Sequence, residues 1–460
     1  MVKNRQRADR LGEESIAKLL FKFSVPAIIG MVVQALYNVV DRIFLGLVSN
    51  DAIAAVYVTF PVTLLMMAVG MLFGTGGNAL VSLKLGQNRL EDAERIISSI
   101  FAMLFLAILV LSVVAYIVLE PMLYFFGATE NLMDLASSYM KIIIIGFPLM
   151  EISFGLNNFM RGEGNPMMAM LTMLIGAIMN IILDYVFIVN YGMGVEGAAL
   201  ATIIGQGCSF LWVMWHFTSK RSKSVLKLRL KLMKPEFKLL KKALSLGFPF
   251  FGMQVAASLV TVIFNHELGY FGGDLAIATM GILQSLSTGY LFPIFGLNQG
   301  VQPILGYNYG AENYARVKET IRLAIKIGTA YLICFTALVY LKTDTIIGIF
   351  VSNPEEYAKI HDMAYDAIRL AAWSIPIVAY PILGGVFFLA IGKAMISSIL
   401  SISRQFLVLI PVVLVLAYFF GLPGIWLAYP VSDVITTLLT MFYLEREIKD
   451  LNHKIAYQPT

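Results

Sequence analysis

Two aspartates stand inside runs long and apolar enough to cross a bilayer. Asp41 lies in FSVPAIIGMVVQALYNVVDRIFLG, from Phe23 to Gly46, and Asp184 in MMAMLTMLIGAIMNIILDYVFIV. An ionised carboxylate at a bilayer centre costs about 2.5–3.5 kcal/mol on insertion scales, so such a residue faces protein or a watery cavity. Around Asp41 the polar residues are Gln34, Tyr37 and Asn38, spaced i, i+3, i+4, i+7, which puts all four on one helix face. Asn180 and Asp184 are i, i+4, with Met173 on the same face two turns back. In GVEGAALATIIGQG, Thr202 shares a face with Ala198 and Gln206, and Asn157 and Asn158 precede Arg161. Four helices thus aim polar groups at one another, and two bring carboxylates. If the two acids approach, their titrations couple, because both cannot easily be charged in a low dielectric. Such a pair binds and releases protons. The oxygens of Asp41, Asn180, Asp184 and Thr202 suit Na⁺ equally well.

The elements that hold these residues follow from composition. The 460 residues are 58% hydrophobic and 14% charged, against about 25% charged in a soluble domain. About 20 apolar residues cross a bilayer, and twelve segments qualify: 18–47, 52–84, 95–119, 132–160, 165–189, 195–218, 240–270, 275–307, 316–341, 357–390, 394–419 and 424–444. The expected fold class is an all-α polytopic membrane protein. Pro26 removes a backbone hydrogen bond near the start of the first span and offers a hinge there. The N-terminal stretch with Lys3, Arg5, Arg7 and Arg10 is basic and without a small-residue cleavage site, so it reads as a cytosolic leader. Basic residues also crowd the loops at 84–95 and 219–242, while alternate loops have none, which places both termini in the cytoplasm. The net charge of +5 belongs to this topology and is no sign of nucleic acid. Cys208 and Cys334 read as buried thiols, and the four histidines are scattered without a metal-binding pattern.

The chain repeats itself. Pro26 and Pro249, Gly46 and Gly269, and Gly77 and Gly300 are all 223 apart; Gly164 and Gly392 are 228 apart, Gly197 and Gly424 are 227 apart. Two halves of six spans, an even number, share one orientation, the arrangement of a rocking transporter. The domains are an N-terminal lobe at 1–218, a basic amphipathic linker at 219–239 lying on the cytosolic lipid surface, and a C-terminal lobe at 240–460. The halves differ chemically. Asp41 aligns with Phe264, and the matching stripe Gln254, Ser258, Asn265 has no charge. Glu151 and Asp433 are further intramembrane acids, Glu163 and Glu267 fall at span ends, and Arg404 is expected to snorkel to the cytosolic face. The many methionines of the first half suit a promiscuous apolar cavity.

Taken together, Pro26–Gln34–Tyr37–Asp41–Gly46, GTGGNALVSLKLGQ, MRGEGNP, NIILDYVFI and GVEGAALAT resemble the MATE family of multidrug and toxic-compound extruders over essentially the whole chain. Acids confined to the first half resemble the DinF-type branch, closest to an archaeal member. The resemblance implies a V-shaped pair of six-helix bundles that exports amphipathic, often cationic drugs against H⁺ or Na⁺. It carries ion coupling onto Asp41 and Asp184, with Tyr37, Asn180 and Thr202 beside them, and drug contacts onto Gln34, Asn157 and Met173. The expectation is therefore a multidrug antiporter in the plasma membrane, monomeric, touching lipids and small molecules, with no cofactor beyond the coupling ion. A lipid-linked oligosaccharide flippase is the alternative; it calls for a basic cavity, and the first half is read as offering no Lys or Arg there. No nucleophile–base or metal signature points to an enzyme.

Overall fold

The computed structural model describes residues 10–126, 128–234, 236–350 and 354–457. Lys3, Arg5 and Arg7, and the side chains of Asn38, Ser258 and Asn265, lie outside the described residues. In a bilayer every backbone N–H and C=O must be satisfied within the protein, and apolar helices do this segment by segment. The described chain is correspondingly helical. Eleven helices are long and apolar enough to cross: α1 (Ile16–Val48), α2 (Asp51–Gly86), α3 (Leu90–Ile117), α4 (Glu130–Gly162), α5 (Pro166–Asn190), α6 (Gly194–Thr218), α7 (Phe237–Gly273), α8 (Leu275–Gly310), α9 (Tyr314–Leu341), α11 (Ala394–Phe420) and α12 (Leu422–Ala456). The twelfth, α10, is a broken pair, Tyr357–Ile377 and Ala379–Ala390, bent by 40°. A 3₁₀ turn at Ile375–Ile377 marks the break, at Pro376.

The helices extend the expected spans by a few residues at most ends. The largest difference is α12, which runs to Ala456 and not to 444. Its last turns carry Glu445, Arg446, Lys449 and Asp450, so hydropathy ends before the helix does. Pro26 also sits farther inside α1 than expected, since that helix begins at Ile16. Cys334 is exposed on the helix surface. An apolar run in a membrane faces lipid as readily as protein, so hydropathy alone did not decide its burial.

The repeat reappears in backbone detail. Among the described residues, Asn88 (φ 60°) and Glu312 (φ 61°), 224 apart, are the two non-glycine residues with positive φ, in corresponding loops after α2 and α8. Gly164 (φ 89°) and Gly392 (φ 85°) turn the corresponding loops before α5 and α11, where a Cβ would be strained.

The two halves meet along pseudo-symmetric contacts. Gly300 lies against Ser24 and Gly296 against Ile28, joining α8 to α1. Gly247 lies against Leu72 and Gly76 against Ala243, joining α7 to α2. At each place a Cβ would collide with the facing helix, so glycine lets the backbones approach. Gln302 Nε2 donates to Thr75 O at 3.2 Å across the same seam. At the chain's N-terminal end, Asn308 Nδ2 donates to Leu11 O at 2.9 Å and Arg316 Nη2 to Glu14 O at 2.5 Å. These contacts gather at the end that carries the 84–95 and 310–314 loops.

Over 219–234 the linker has one 3₁₀ turn, Leu230–Leu232, and is otherwise irregular, and Ser222, Ser224, Val225 and Leu226 are buried; 237–239 already belong to α7. The Glu163 carboxylate, buried at the end of α4, accepts from Ser224 Oγ (2.6 Å) and the backbone N–H groups of Val225 (2.9 Å) and Leu226 (3.0 Å), and pairs with His216. Arg229 pairs with Glu94 at 2.6 Å. Burial holds the Lys227 ammonium below the usual lysine pKa, against the opposing pull of Glu163 and Glu94. Alternating KLRLKLMK is an extended, period-two pattern, and it is fastened to the first lobe.

Candidate functional site: an acidic cluster in the first lobe

The site is built by close helix crossings. Gly30 of α1 lies under the Met173 side chain of α5; a Cβ there would come within 2.7 Å of its sulfur. Gly205 of α6 faces the Gly176 carbonyl of α5, and a Cβ there would come within 2.8 Å of that oxygen. Small residues at a crossing bring backbones together, and here they seat Asn180 against Thr202. Asn180 Nδ2 is 3.3 Å from Thr202 Oγ1. With the amide turned over, its nitrogen donates to Asp184 Oδ2 at 3.0 Å and its oxygen accepts from the Thr202 N–H at 3.2 Å. That orientation satisfies both ends of the amide and ties Asp184 to α6.

Asp184 is fully buried at the last α-helical residue of α5, where the helix widens into a π turn over Tyr185–Asn190. Asp41 is partly buried on α1. The two carboxylates lie within electrostatic reach of each other, and Tyr37, beside Thr202, reaches both. The structure therefore brings Asp41, Asp184, Asn180, Tyr37 and Thr202 together. Oδ1 of Asp41 and Oδ1 of Asp184 are buried without a hydrogen-bond partner, which is unfavourable for a charged oxygen. Neither acid forms an ion pair among the described residues. Two uncompensated carboxylate oxygens, an amide and two hydroxyls can take up a proton or a hard monovalent cation.

Other expected residues fall differently. Gln34 is partly buried on the α1 stripe, and Met173 is partly buried across Gly30. Asn157 does not present its amide nitrogen to a cavity: Nδ2 donates to Ala169 O at 2.8 Å, and the side chain joins α4 to α5. Glu151 is buried on α4 over Gly70, with Oε2 unpartnered.

Sequence reasoning missed two neighbours. Tyr139 of α4 is buried and within electrostatic reach of Asp41, Tyr37 and Asp184. Its one signal was a phenol within a span that also carries Ser137, Ser138 and Lys141. Arg42, next to Asp41, is exposed on α1 yet its charge reaches that carboxylate. The first lobe is thus not devoid of basic residues near the acids, although Arg42 points outward from the stripe.

The second lobe differs. Phe264, aligned with Asp41, packs on Tyr429 with ring centroids 5.0 Å apart. Arg404 does not snorkel: its Nε donates to Asp433 Oδ1 at 2.9 Å, with Asp433 buried and the Arg404 side chain 13% exposed. A buried acid on α12 is a stronger attraction for a guanidinium than a distant interface.

Twelve spans in two matched lobes, with a buried acidic cluster in one of them, define a polytopic membrane protein of transporter architecture. The family model described as MatE matches residues 26–186 and 249–415, one match in each lobe, and the chain belongs to that family. It is 30% identical over 439 residues to the multidrug export protein MepA of Staphylococcus haemolyticus (strain JCSC1435), covering 94% of this chain and 93% of that one. It is 29% identical to the MepA of Staphylococcus saprophyticus subsp. saprophyticus, covering 95% of each. Among solved structures it matches a MATE crystal structure in the bent conformation, with a TM-score of 0.91, 23% identity, and coverage of 99% of each chain. The overall fold is therefore that of the V-shaped, two-lobed MATE proteins.

Proposed function

We propose that this protein is a multidrug efflux antiporter that exports amphipathic, often cationic organic compounds in exchange for H⁺ or Na⁺. The observation that carries the reading is the pair of buried, unpartnered carboxylate oxygens on Asp41 and Asp184. Tyr37, Asn180 and Thr202 complete the cluster, and Asp41, Asn180, Asp184 and Thr202 would be the oxygen donors if the ion is Na⁺. Gln34 and Met173 border the same helix face and serve the drug; Asn157 supports the wall from behind. The names of the MepA relatives, multidrug export proteins, support the substrate class.

In this reading the lobes are 1–218 and 240–460, the docked linker spans 219–239, and both termini face the cytoplasm of a plasma-membrane monomer. The contacts at Ser24–Gly300 and Leu72–Gly247 then close the cytoplasmic side. Within the family, the DinF-type branch fits best, because the buried acids without a cation partner belong to the first lobe. Ion and drug compete for the acidic cluster: an ion-filled cluster no longer attracts the drug cation, which leaves to the outside. Linkage makes this reciprocal, so drug must weaken ion binding by the same factor that ion weakens drug binding. The test is equilibrium drug binding to purified protein at varied pH and Na⁺. Affinity should fall on acidification or on added Na⁺, and the dependence should vanish in Asp41→Asn. Affinity indifferent to both ions would refute the coupling.

A further inference from the structure

Among the described residues, both acids that the second lobe buries carry their own cation. Glu447 pairs with Lys393, and Asp433 accepts from Arg404 Nε at 2.9 Å and from Ser374 Oγ at 3.1 Å. Arg404 itself is fixed: Ser432 Oγ donates to its carbonyl at 2.9 Å, and it opens into a π turn over Ser403–Leu407. Two phenols complete the surroundings, Tyr290 of α8 and Tyr429 of α12. The repeat shows what this replaces. The 227-residue spacing that pairs Gly197 with Gly424 pairs Thr202 with Tyr429 and Gln206 with Asp433. The 228-residue spacing that pairs Gly164 with Gly392 pairs Gly176 with Arg404. The second lobe therefore holds a carboxylate one turn from the tier where the first lobe holds Thr202. At the place where the first lobe has a bare glycine, it supplies a guanidinium.

We propose that Arg404 is a tethered cation, which permanently occupies Asp433 and so keeps the coupling ion out of the C-terminal lobe. The proposal rests on the ion-coupling reading above. A guanidinium is always charged and cannot dissociate from the chain, so the lobe's charge is constant through the transport cycle. Without it, Asp433 would face Ser374, Tyr290 and Tyr429, an oxygen-rich seat for a proton or Na⁺. Removing one partner of a buried pair leaves an uncompensated charge, and an ion from solution would then be drawn to it. One lobe would respond to ions in the wild type, and two in an Arg404 variant.

The experiment measures the thermal unfolding midpoint of purified protein as pH and Na⁺ are varied. The wild type is compared first with Asp41→Asn/Asp184→Asn; loss of ion response there tests the first-lobe reading alone. Arg404→Met is then placed in that double-variant background. Its midpoint should be lowered at neutral pH without Na⁺ and should recover by several degrees on acidification or added Na⁺, since either neutralises Asp433. Adding Asp433→Asn should abolish that recovery, and Arg404→Lys should restore the ion-insensitive behaviour. If Arg404→Met does not accumulate, Arg404→Gln, which keeps a hydrogen bond to Asp433, takes its place. A midpoint no more ion-sensitive than its background, or a response that survives Asp433→Asn, would overturn the proposal.

Discussion

Asp184 and Asp433 are both buried aspartates in apolar helices, yet they should fail differently when neutralised. Asp184 has one unpartnered oxygen and no cation, so Asp184→Asn should leave folding intact and abolish ion-driven transport. Asp433 balances Arg404, so Asp433→Asn leaves a mostly buried guanidinium unpaired and should cost about 3 kcal/mol of stability. Expression level and unfolding midpoint separate the two: Asp184→Asn should be stable and inactive, Asp433→Asn poorly expressed. The reverse order would move the ion site to the second lobe. The acids of the first lobe were legible because Gln34, Tyr37 and Asp41, and Asn180 and Asp184, repeat at helical spacing. Tyr139 and the Arg404–Asp433 pair were not, because periodicity describes one helix and these contacts join different ones.

At the scale of elements, the site depends on how closely α5 and α6 cross. Gly205→Leu would push Asn180 away from Thr202, since its Cβ alone already crowds the Gly176 carbonyl. Drug transport should fall without any charge being changed, and binding should lose its ion dependence. Pro26 is the second such element. Proline has no N–H and leaves the Lys22 carbonyl of α1 without its helical partner, so bending is easier there. Pro26→Ala should slow transport while leaving drug affinity in one state near normal, and Pro249→Ala should do less, since Phe264 stands where α1 has its acid. Equal, negligible losses in transport assays would reduce both prolines to helix features. The linker shows where element-level reading ran out. Its alternating charges suggest a lipid-surface segment and say nothing of the tertiary hold in which Glu163, some sixty residues earlier in the chain, accepts from the Val225 and Leu226 N–H groups. Glu163→Ala removes the acceptor of three linker donors and should raise proteolytic cleavage within 219–236; unchanged cleavage would mean the linker is held by other contacts.

The whole molecule is two copies of one plan joined at one end. Spacings of 223 to 228 gave the plan from sequence alone, and the paired positive-φ residues Asn88 and Glu312 repeat it in the backbone. What spacing does not encode is which ends of the lobes meet. That follows from Gly247, Gly296 and Gly300, whose missing side chains let opposing helices touch, and from the hold of Arg316 on the Leu11 and Glu14 carbonyls. Arg316→Ala should weaken this closure and shift the population toward the state open at that end. A thiol-reactive probe on a cysteine introduced at Ser24 should then label faster than in the parent. The central claim concerns the acidic cluster. The most direct measurement is drug efflux from proteoliposomes under an imposed pH gradient and, separately, an imposed Na⁺ gradient, for the wild type, Asp41→Asn and Asp184→Asn. At least one gradient should drive efflux by the wild type and neither should drive it in the variants. Full gradient-driven efflux by Asp41→Asn would contradict the assignment.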